Sequence, residues 1–499
     1  MKSSAATRMP WQGCGYGIIR GMRPSNTMRA TAPSEILSAA DYAAEDAAEV
    51  RPAARLGVLS DTHIRDEKDG VALRKAFDCF RRQRVDGVVI AGDITDNGRL
   101  SELKIVSDAW FSVFPEGRGE DGKPVEQLFI YGNHDYWGWC WTGDNGRRRT
   151  ESFSSEHPGD AIGVDARSRA EAWRTNFREE YRDVWVKQVG GIPVIGVHWN
   201  NDLHVLEDFL AANPDAVDPS RPFFYVQHPH LKDTCIGSWS WGADDGETTR
   251  ALSGYPNAIA ISGHSHYALT DERSIWQGAF TSINAGSFKY ASLDYPLREN
   301  ALPVYYGPGY DGETRVHSMD RLDTSNTRHG MIIDVFPGRL AVRRLDFASD
   351  SQIGDIWNAP LPSVEGGPMD YAVRARSRSK PAFPSGASVI VVPAADKDGR
   401  KRLSVRFPPA RPVDGCRVFE YEVTATLKED GVDLVQAQRR FLAPDFHLAA
   451  CRADESVDCA LFLDELPIRG HYVFSARPIE CFGNKGEEIT SEEVDICRF

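Results

Sequence analysis

The chain repeatedly places aspartate, asparagine and histidine at or just beyond the ends of short apolar runs. Asp61-Thr62-His63 follows Leu56–Leu59, Gly92-Asp93-Ile94-Thr95-Asp96 follows Val85–Ala91, and Gly132-Asn133-His134-Asp135 follows Gln127–Tyr131. Further on, His198 and Asn200 follow Pro193–Val197, His228-Pro229-His230 follows Phe223–Val226, and Gly263-His264-Ser265-His266 follows Ala258–Ile261. Carboxylate oxygens, an amide oxygen and imidazole nitrogens together suit Zn, Mn or Fe better than Ca or Mg. A carboxylate has two oxygens, so Asp93 can bridge two cations, and the glycine before it lets the backbone turn tightly. Each fragment alone is a weak signal, because a lone histidine at a strand end is usually a hydrogen-bonded structural residue. In order, each at the end of an apolar run, they form a specific one.

Those runs must be the elements that position the set. Short apolar stretches alternating with helical or loop segments predict an α/β domain with strands buried on both faces. In such sheets a ligand site lies beyond the carboxyl ends of the strands, where these residues fall. Between the first two runs, Asp69–Gln83 reads as a helix, with Leu73, Phe77 and Phe80 on one stripe and Ala72, Ala76 and Cys79 beside it.

The series Asp61-x-His63, Gly92-Asp93-x-x-Asp96, Gly132-Asn133-His134-Asp135, His228 and Gly263-His264-Ser265-His266 resembles the signature of the calcineurin-like metallophosphoesterases, over roughly residues 54–346. The resemblance implies an α/β (α+β) fold, a four-layer β-sandwich flanked by helices, with a dinuclear centre of Mn, Zn or Fe. It implies metal-dependent hydrolysis of a phosphodiester or phosphomonoester by a hydroxide generated between cations about 3.5–4 Å apart. Carried over position by position, Asp61, His63, Asp93 and His266 would hold one metal, and Asp93, Asn133, His228 and His264 the other. His134 would stay off the metals and face the leaving group, oriented by Asp135. In His228-Pro229-His230 either histidine can be the ligand; His228 sits nearer the strand end and is preferred. Trp137, His198, Asn200 and His230 are expected to line the substrate pocket. The residues between Asp93 and Asp96 are Ile94 and Thr95, so a tyrosinate of the purple-phosphatase type is not expected.

At 499 residues the chain calls for two domains plus tails. Lysine and arginine total 58 against 72 acids, a net charge of −14. An acidic protein is a poor generic binder of nucleic acid, and the partner the resemblance implies is a small-molecule phosphoester. No apolar run approaches the roughly 20 residues of a membrane span. The first 50 residues lack a convincing export signal, so the default expectation is the cytoplasm. None of the nine cysteines forms a Cys-x-x-Cys pair, which argues against a zinc site of that kind and favours free thiols over a Cys451–Cys459 disulfide.

Residues 1–53 read as a tail with an alanine-rich helix over Ile36–Val50, and 347–385 as a proline- and serine-rich linker. Alternating segments such as Arg402–Phe407, Arg417–Thr426 and His471–Pro478 predict an immunoglobulin- or fibronectin-like β-sandwich over 386–499. Trp239–Gly242 and Ala291–Thr327 are lid candidates, and Arg147-Arg148-Arg149 is a basic loop. The rival reading is a non-catalytic binding protein that keeps the fold as a scaffold and uses the sandwich to bind a partner or glycan.

Overall fold

The computed structural model describes residues 51–137, 160–162, 166–199, 205–237, 240–292, 324–325, 327–396, 398–413, 417–450 and 456–498. The expectations for Ile36–Val50, Arg147–Arg149, Asn200, Trp239 and most of 291–327 lie outside the described residues.

The N-terminal strands are buried at nearly every position, so both of their faces are covered. Strands β1 (Ala54–Leu59), β2 (Gly87–Ala91) and β3 (Glu126–Ile130) are parallel neighbours. A second sheet is built from β4 (Val184–Val189), β5 (Ile192–Val197), β6 (Phe223–Val226), β7 (Ala258–Ser262), β8 (Ile275–Gln277) and β9 (Thr281–Asn284), in the order β4-β5-β6-β7-β9-β8. The first sheet is completed by β10 (His329–Phe336), β11 (Arg339–Asp346), β12 (Ser351–Gln352) and β13 (Trp357–Pro360). Leu56, Val58, Val89, Leu128 and Ile130 meet Val194, Phe224, Val226, Ile259 and Ile261 in one core between the sheets. The alternate residues face outward. Val88, Ile90 and Phe129 pack under the helices Glu67–Arg82 and Leu100–Val113, and Phe223, Tyr225 and Ala260 lie on the opposite side with Leu206 and Leu252 of two shorter helices. Helix, sheet, sheet and helix thus make the four expected layers.

Local chemistry sets the helix boundaries. The Asp66 carboxylate accepts the amides of Lys68 and Asp69 at 2.9 and 3.1 Å and caps the helix that begins at Glu67. The outer core beneath it is aromatic: Phe77 meets Trp110 edge to face at 5.4 Å, and Phe114, Phe129 and Phe80 fill the space around them.

Residues 347–385, expected as a linker, carry β12, β13 and the helix Tyr371–Ser377. Both strands pair with β11, and Trp357, Ala359 and Leu361 enter the inter-sheet core. Glu272 anchors the stretch, with Arg344 at 2.8 Å, Arg378 at 2.7 Å and Arg374 around its carboxylate. Beyond it the chain is all β. Strands β14 (Ile390–Ala395), β15 (Lys401–Phe407) and β18 (Val457–Phe462) form one antiparallel sheet. The other contains β16 (Glu420–Glu429), β17 (Val432–Leu442), β19 (His471–Ile479), β20 (Ile489–Thr490) and β21 (Val494–Asp495). Leu403, Val405, Tyr421, Val423, Leu461 and Phe474 fill the space between them.

Cys79, Cys235, Cys459, Cys481 and Cys497 are free thiols. Among the described residues no helix is long and apolar enough to cross a membrane. Trp110→Ala should remove the centre of the aromatic layer and cost about 3–5 kcal/mol, read as a fall in the urea unfolding midpoint.

Candidate metal centre

The five motif segments leave the carboxyl ends of five parallel strands, β1, β2 and β3 in one sheet and β6 and β7 in the other. The turns there are abrupt. Asp61, His63, Asp93, His264 and His266 all have φ between 39° and 68°, the left-handed region. Aspartate and histidine tolerate it better than most side chains, but it still costs energy and persists only where the surroundings enforce it. Backbone bonds between the turns do so: the Asp61 amide donates to Gly92 O at 3.0 Å, the His63 amide to Asp93 O at 3.0 Å, and the Gly263 amide to His228 O at 3.1 Å. Two motif glycines are needed for space. A Cβ on Gly92 (φ 93°) would lie 2.2 Å from His228 Nδ1, and one on Gly263 would lie 1.9 Å from Ser60 Oγ and 2.6 Å from Asp61 Oδ2.

Beside a group formed by His63, Asp96 and His134, the result is two sets of donor atoms with Asp93 in common. In one, atoms of Asp61, His63, Asp93 and His266 all lie within 4.8 Å of one another; in the other, atoms of Asp93, His228 and His264 do. Asn133 Oδ1 stands 3.2 Å from His228 Nε2 and adds an amide oxygen to the second set. Asp61 and Asp93 are 0 and 1 % exposed.

The hydrogen bonds around the rings leave lone pairs pointing inward. His228 Nδ1 donates to Ala91 O at 2.7 Å, which turns Nε2 toward Asp93 Oδ2 at 3.2 Å. His266 Nδ1 donates to Tyr290 O at 3.3 Å, and its Nε2 faces Asp61 Oδ1 at 3.0 Å. His63 Nδ1 donates to Asp96 Oδ1 at 3.1 Å, and its Nε2 meets His266 Nε2 at 3.2 Å. Buried His264 Nε2 has no hydrogen-bond partner among the described residues, a costly omission unless it binds something else. Inward lone pairs, two buried carboxylates and an orphaned imidazole nitrogen fit divalent cations, and the N/O donors fit the borderline metals.

The electrostatics report the same demand. Burial works against the charge on Asp93, yet His228, His134 and His63 hold its carboxyl well below the usual range. Burial disfavours protonated His228, but Asp93 and Asp61 raise it to about 9. His264 moves the other way, pushed down to about 3 by burial and by His228, which keeps the ring neutral.

Residues 54–268 match the family model described as calcineurin-like phosphoesterase. The chain carries a calcineurin-like phosphoesterase domain. No curated protein matches it. Solved structures with a similar fold include a dimetal phosphatase from Danio rerio (11 % identity, 62 % of this chain and 98 % of that one, TM-score 0.32). Others are GAP50, the anchor in the inner membrane complex of Plasmodium (12 %, 62 % and 89 %, TM-score 0.36), and zinc-complexed Vps29 from Entamoeba histolytica (12 %, 61 % and 98 %, TM-score 0.27). None of these distant likenesses bears on function.

Several expected roles in the phosphoesterase domain change with the geometry. Asp135 does not orient His134. Its Oδ1 accepts from Thr95 N (2.8 Å) and Thr95 Oγ1 (2.7 Å), and its Oδ2 from Gly132 N (2.7 Å) and Ile94 N (3.1 Å), so it ties the second motif to the third. Burial and the nearby Asp93 charge lift its carboxyl to about 6. His134 Nδ1 is held instead by Asp96 O at 2.8 Å, and its amide donates to Asp93 Oδ1 at 2.8 Å. His230 stands apart from the clustered donors. It is fully buried, with Nε2 at 2.9 Å from Cys235 O and Nδ1 at 3.3 Å from Ser265 Oγ, which takes up both nitrogens. His198 is buried among Tyr131, Trp173 and Tyr181, and its Nδ1 accepts the Tyr131 amide at 2.9 Å, so it braces the third motif rather than lining a pocket. Trp137 ends the short helix Asn133–Trp137, and its side chain lies outside the described residues.

Asp96 does more than its place in a motif revealed. One carboxylate oxygen holds His63, the other accepts Arg65 Nε at 2.6 Å, and its carbonyl holds His134. Burial opposes its charge, but His63 and Arg65 hold it far below the usual carboxylate range. Carboxylate support behind a ligating histidine is a recurrent feature of metal sites. Three aromatic rings also frame the centre: Trp241 stacks on His264 at 4.9 Å, Trp199 lies 5.5 Å from the same ring, and Tyr290 lies 4.4 Å from His266. Nothing in sequence spacing marks Trp199 or Tyr290, because they arrive from other loops.

Gly263→Ala should displace Ser60 and Asp61 and weaken metal binding at least about tenfold with circular dichroism unchanged, as read by metal analysis of the purified protein. Burial holds His198 at about 3 and His230 at about 4, against 6.5 for the free side chain. Both are neutral in the fold and charge on unfolding. Stability is therefore full above pH 6.5 and falls as the pH drops toward 4, by about 1.4 kcal/mol per pH unit for each. Denaturation midpoints between pH 7 and pH 4.5 should show that slope, and His198→Asn should make it shallower.

Proposed function

We propose that this chain hydrolyses phosphate esters, monoesters or diesters, at a two-cation centre formed by Asp61, His63, Asp93, Asn133, His228, His264 and His266. The observation that carries this reading is the shared Asp93 between two sets of inward-facing donors, with His134 standing beside them.

Divalent cations held there would neutralise charge on the phosphoryl oxygens and make an attacking water acidic enough to react near neutral pH. The chain's own residues do the rest. Asp93 offers Oδ2 toward His228 at 3.2 Å and Oδ1 to the His134 amide at 2.8 Å, so one carboxylate fixes both the donor sets and the loop that carries the acid. His134 Nδ1 holds its proton on the Asp96 carbonyl, so the proton transferred to a leaving oxygen is the one on Nε2. The His134 ring stands edge-on to His63 at 4.4 Å, which places it beside the first donor set. Trp199, Trp241 and Tyr290 pack against the His264 and His266 rings and wall the centre.

The substrate is a small phosphoester, and the metals are Mn, Zn or Fe. Asp93→Ala should abolish metal binding and activity together. His134→Ala should keep the metals and lose about 10²–10⁴-fold in turnover on alkyl phosphates, with a smaller loss on aryl esters whose leaving group needs no proton. The check is kcat over a series of mono- and diesters of graded leaving-group pKa, with metal content measured on the same samples. Full His134→Ala activity on the poorest leaving group would remove the acid role. A metal-loaded protein that hydrolyses no ester would remove the esterase reading and leave the fold as a scaffold.

A further inference from the structure

We propose that the C-terminal β-sandwich is a working part of this metal centre, because it positions His266 and so shapes one of the two cation positions. The inference rests on the two-cation reading above and assigns the sandwich a positioning role within it.

His266 is gripped by the segment 290–292. Its ring donates to the Tyr290 carbonyl at 3.3 Å, and its carbonyl accepts the Ser292 amide at 2.8 Å. Between these two contacts lies Ala291, 2 % exposed, whose side chain belongs to the apolar core of the sandwich. On the other flank, Ala268, two residues past His266 and fully buried, enters the same core. The Thr270 hydroxyl then donates to the carbonyl of Phe446 in the sandwich, and the Arg273 guanidinium covers the ring of Phe419 at 4.9 Å. Both segments that flank His266 therefore end in the second domain. On the phosphoesterase side, the Leu269 amide is held by His329 Nδ1 at 3.1 Å.

This arrangement has an energetic reason. His266 sits at φ 53°, a conformation that relaxes unless several contacts enforce it. A small shift of the loop would carry Nε2 away from Asp61, 3.0 Å distant, and open the set formed by Asp61, His63, Asp93 and His266. The supports of the other set do not pass through the sandwich. His228 is fixed by the Ala91 carbonyl, and the His264 amide by both oxygens of Asp61 at 3.2 and 3.1 Å, all within the phosphoesterase domain. Loosening the sandwich contact should therefore disturb one cation position and spare the other.

Cobalt titration of the full-length protein, followed by calorimetry and visible absorption, tests this directly. Thr270→Val removes the hydroxyl that reaches Phe446 with little change of shape, and Phe446→Ala removes the ring that backs it. Each should weaken one of the two cobalt-binding steps about tenfold and leave the other unchanged. Phe474→Ala, in the sandwich interior and stacked on Tyr472 at 6.1 Å, serves as the control and should alter neither step, although it lowers the domain's stability. The inference is overturned if folded Thr270→Val binds both ions as the parent does, if both steps weaken equally, or if Phe474→Ala reproduces the effect. A parent protein that binds no cobalt would overturn the two-cation reading itself, and this inference with it.

Discussion

Two carboxylates and four imidazole nitrogens face one another in a basin from which water is almost excluded, and the donor protons on three of the rings point outward. Such a collection repels itself. Burial alone would protonate Asp61 and Asp93, and the neighbouring imidazoles are what keep them charged. Protonating His228, which the carboxylates favour, relieves part of the strain, but it leaves His264 neutral and its Nε2 without a partner. Divalent cations would resolve all of it at once, by giving every inward lone pair a positive neighbour. The rest of the domain can be read as the means of holding these groups together in advance.

That holding is done by backbone. Five left-handed non-glycine residues within the motifs store strain that the sheet ladders and inter-turn hydrogen bonds enforce. Both sheets take part, since Asp61, Asp93 and Asn133 follow strands of one and His228 and His264 follow strands of the other. The core between the sheets, from Leu56 and Val89 to Phe224 and Ile259, therefore sets the distance across the site. Asp135 contributes in the same way, as a buried clasp between the second and third motifs. Asp96 joins two histidines and an arginine, its carboxylate holding His63 and Arg65 and its main-chain carbonyl holding His134, so a single residue fixes both a prospective ligand and the prospective acid.

The stretch 347–385 shows how composition misleads about connection. Its prolines and serines read as a tether, yet Trp357, Ala359 and Leu361 alternate into the core, and Glu272 gathers Arg344, Arg374 and Arg378 beneath it. Polar pairs of that kind are invisible in local sequence, because Glu272 and Arg378 lie more than a hundred residues apart. The two domains are thus joined by a seated segment.

The sequence by itself determined the donor residue types and their place at strand ends, because residue type and short apolar runs are local properties. It also determined the outer helix, read over Asp69–Gln83 and running from Glu67 to Arg82, and the all-β character of the last hundred residues, both written in their periodicity. Only the tertiary structure decided which histidine of His228-Pro229-His230 faces Asp93, since the two differ in register by two residues and it is the ring's partners, Ala91 for one and Cys235 for the other, that separate them. It also decided that Asp135 and His198 brace loops while Asp96 supports His63 and His134. Those roles are hydrogen bonds between segments far apart in the chain, and spacing along the chain carries no record of them.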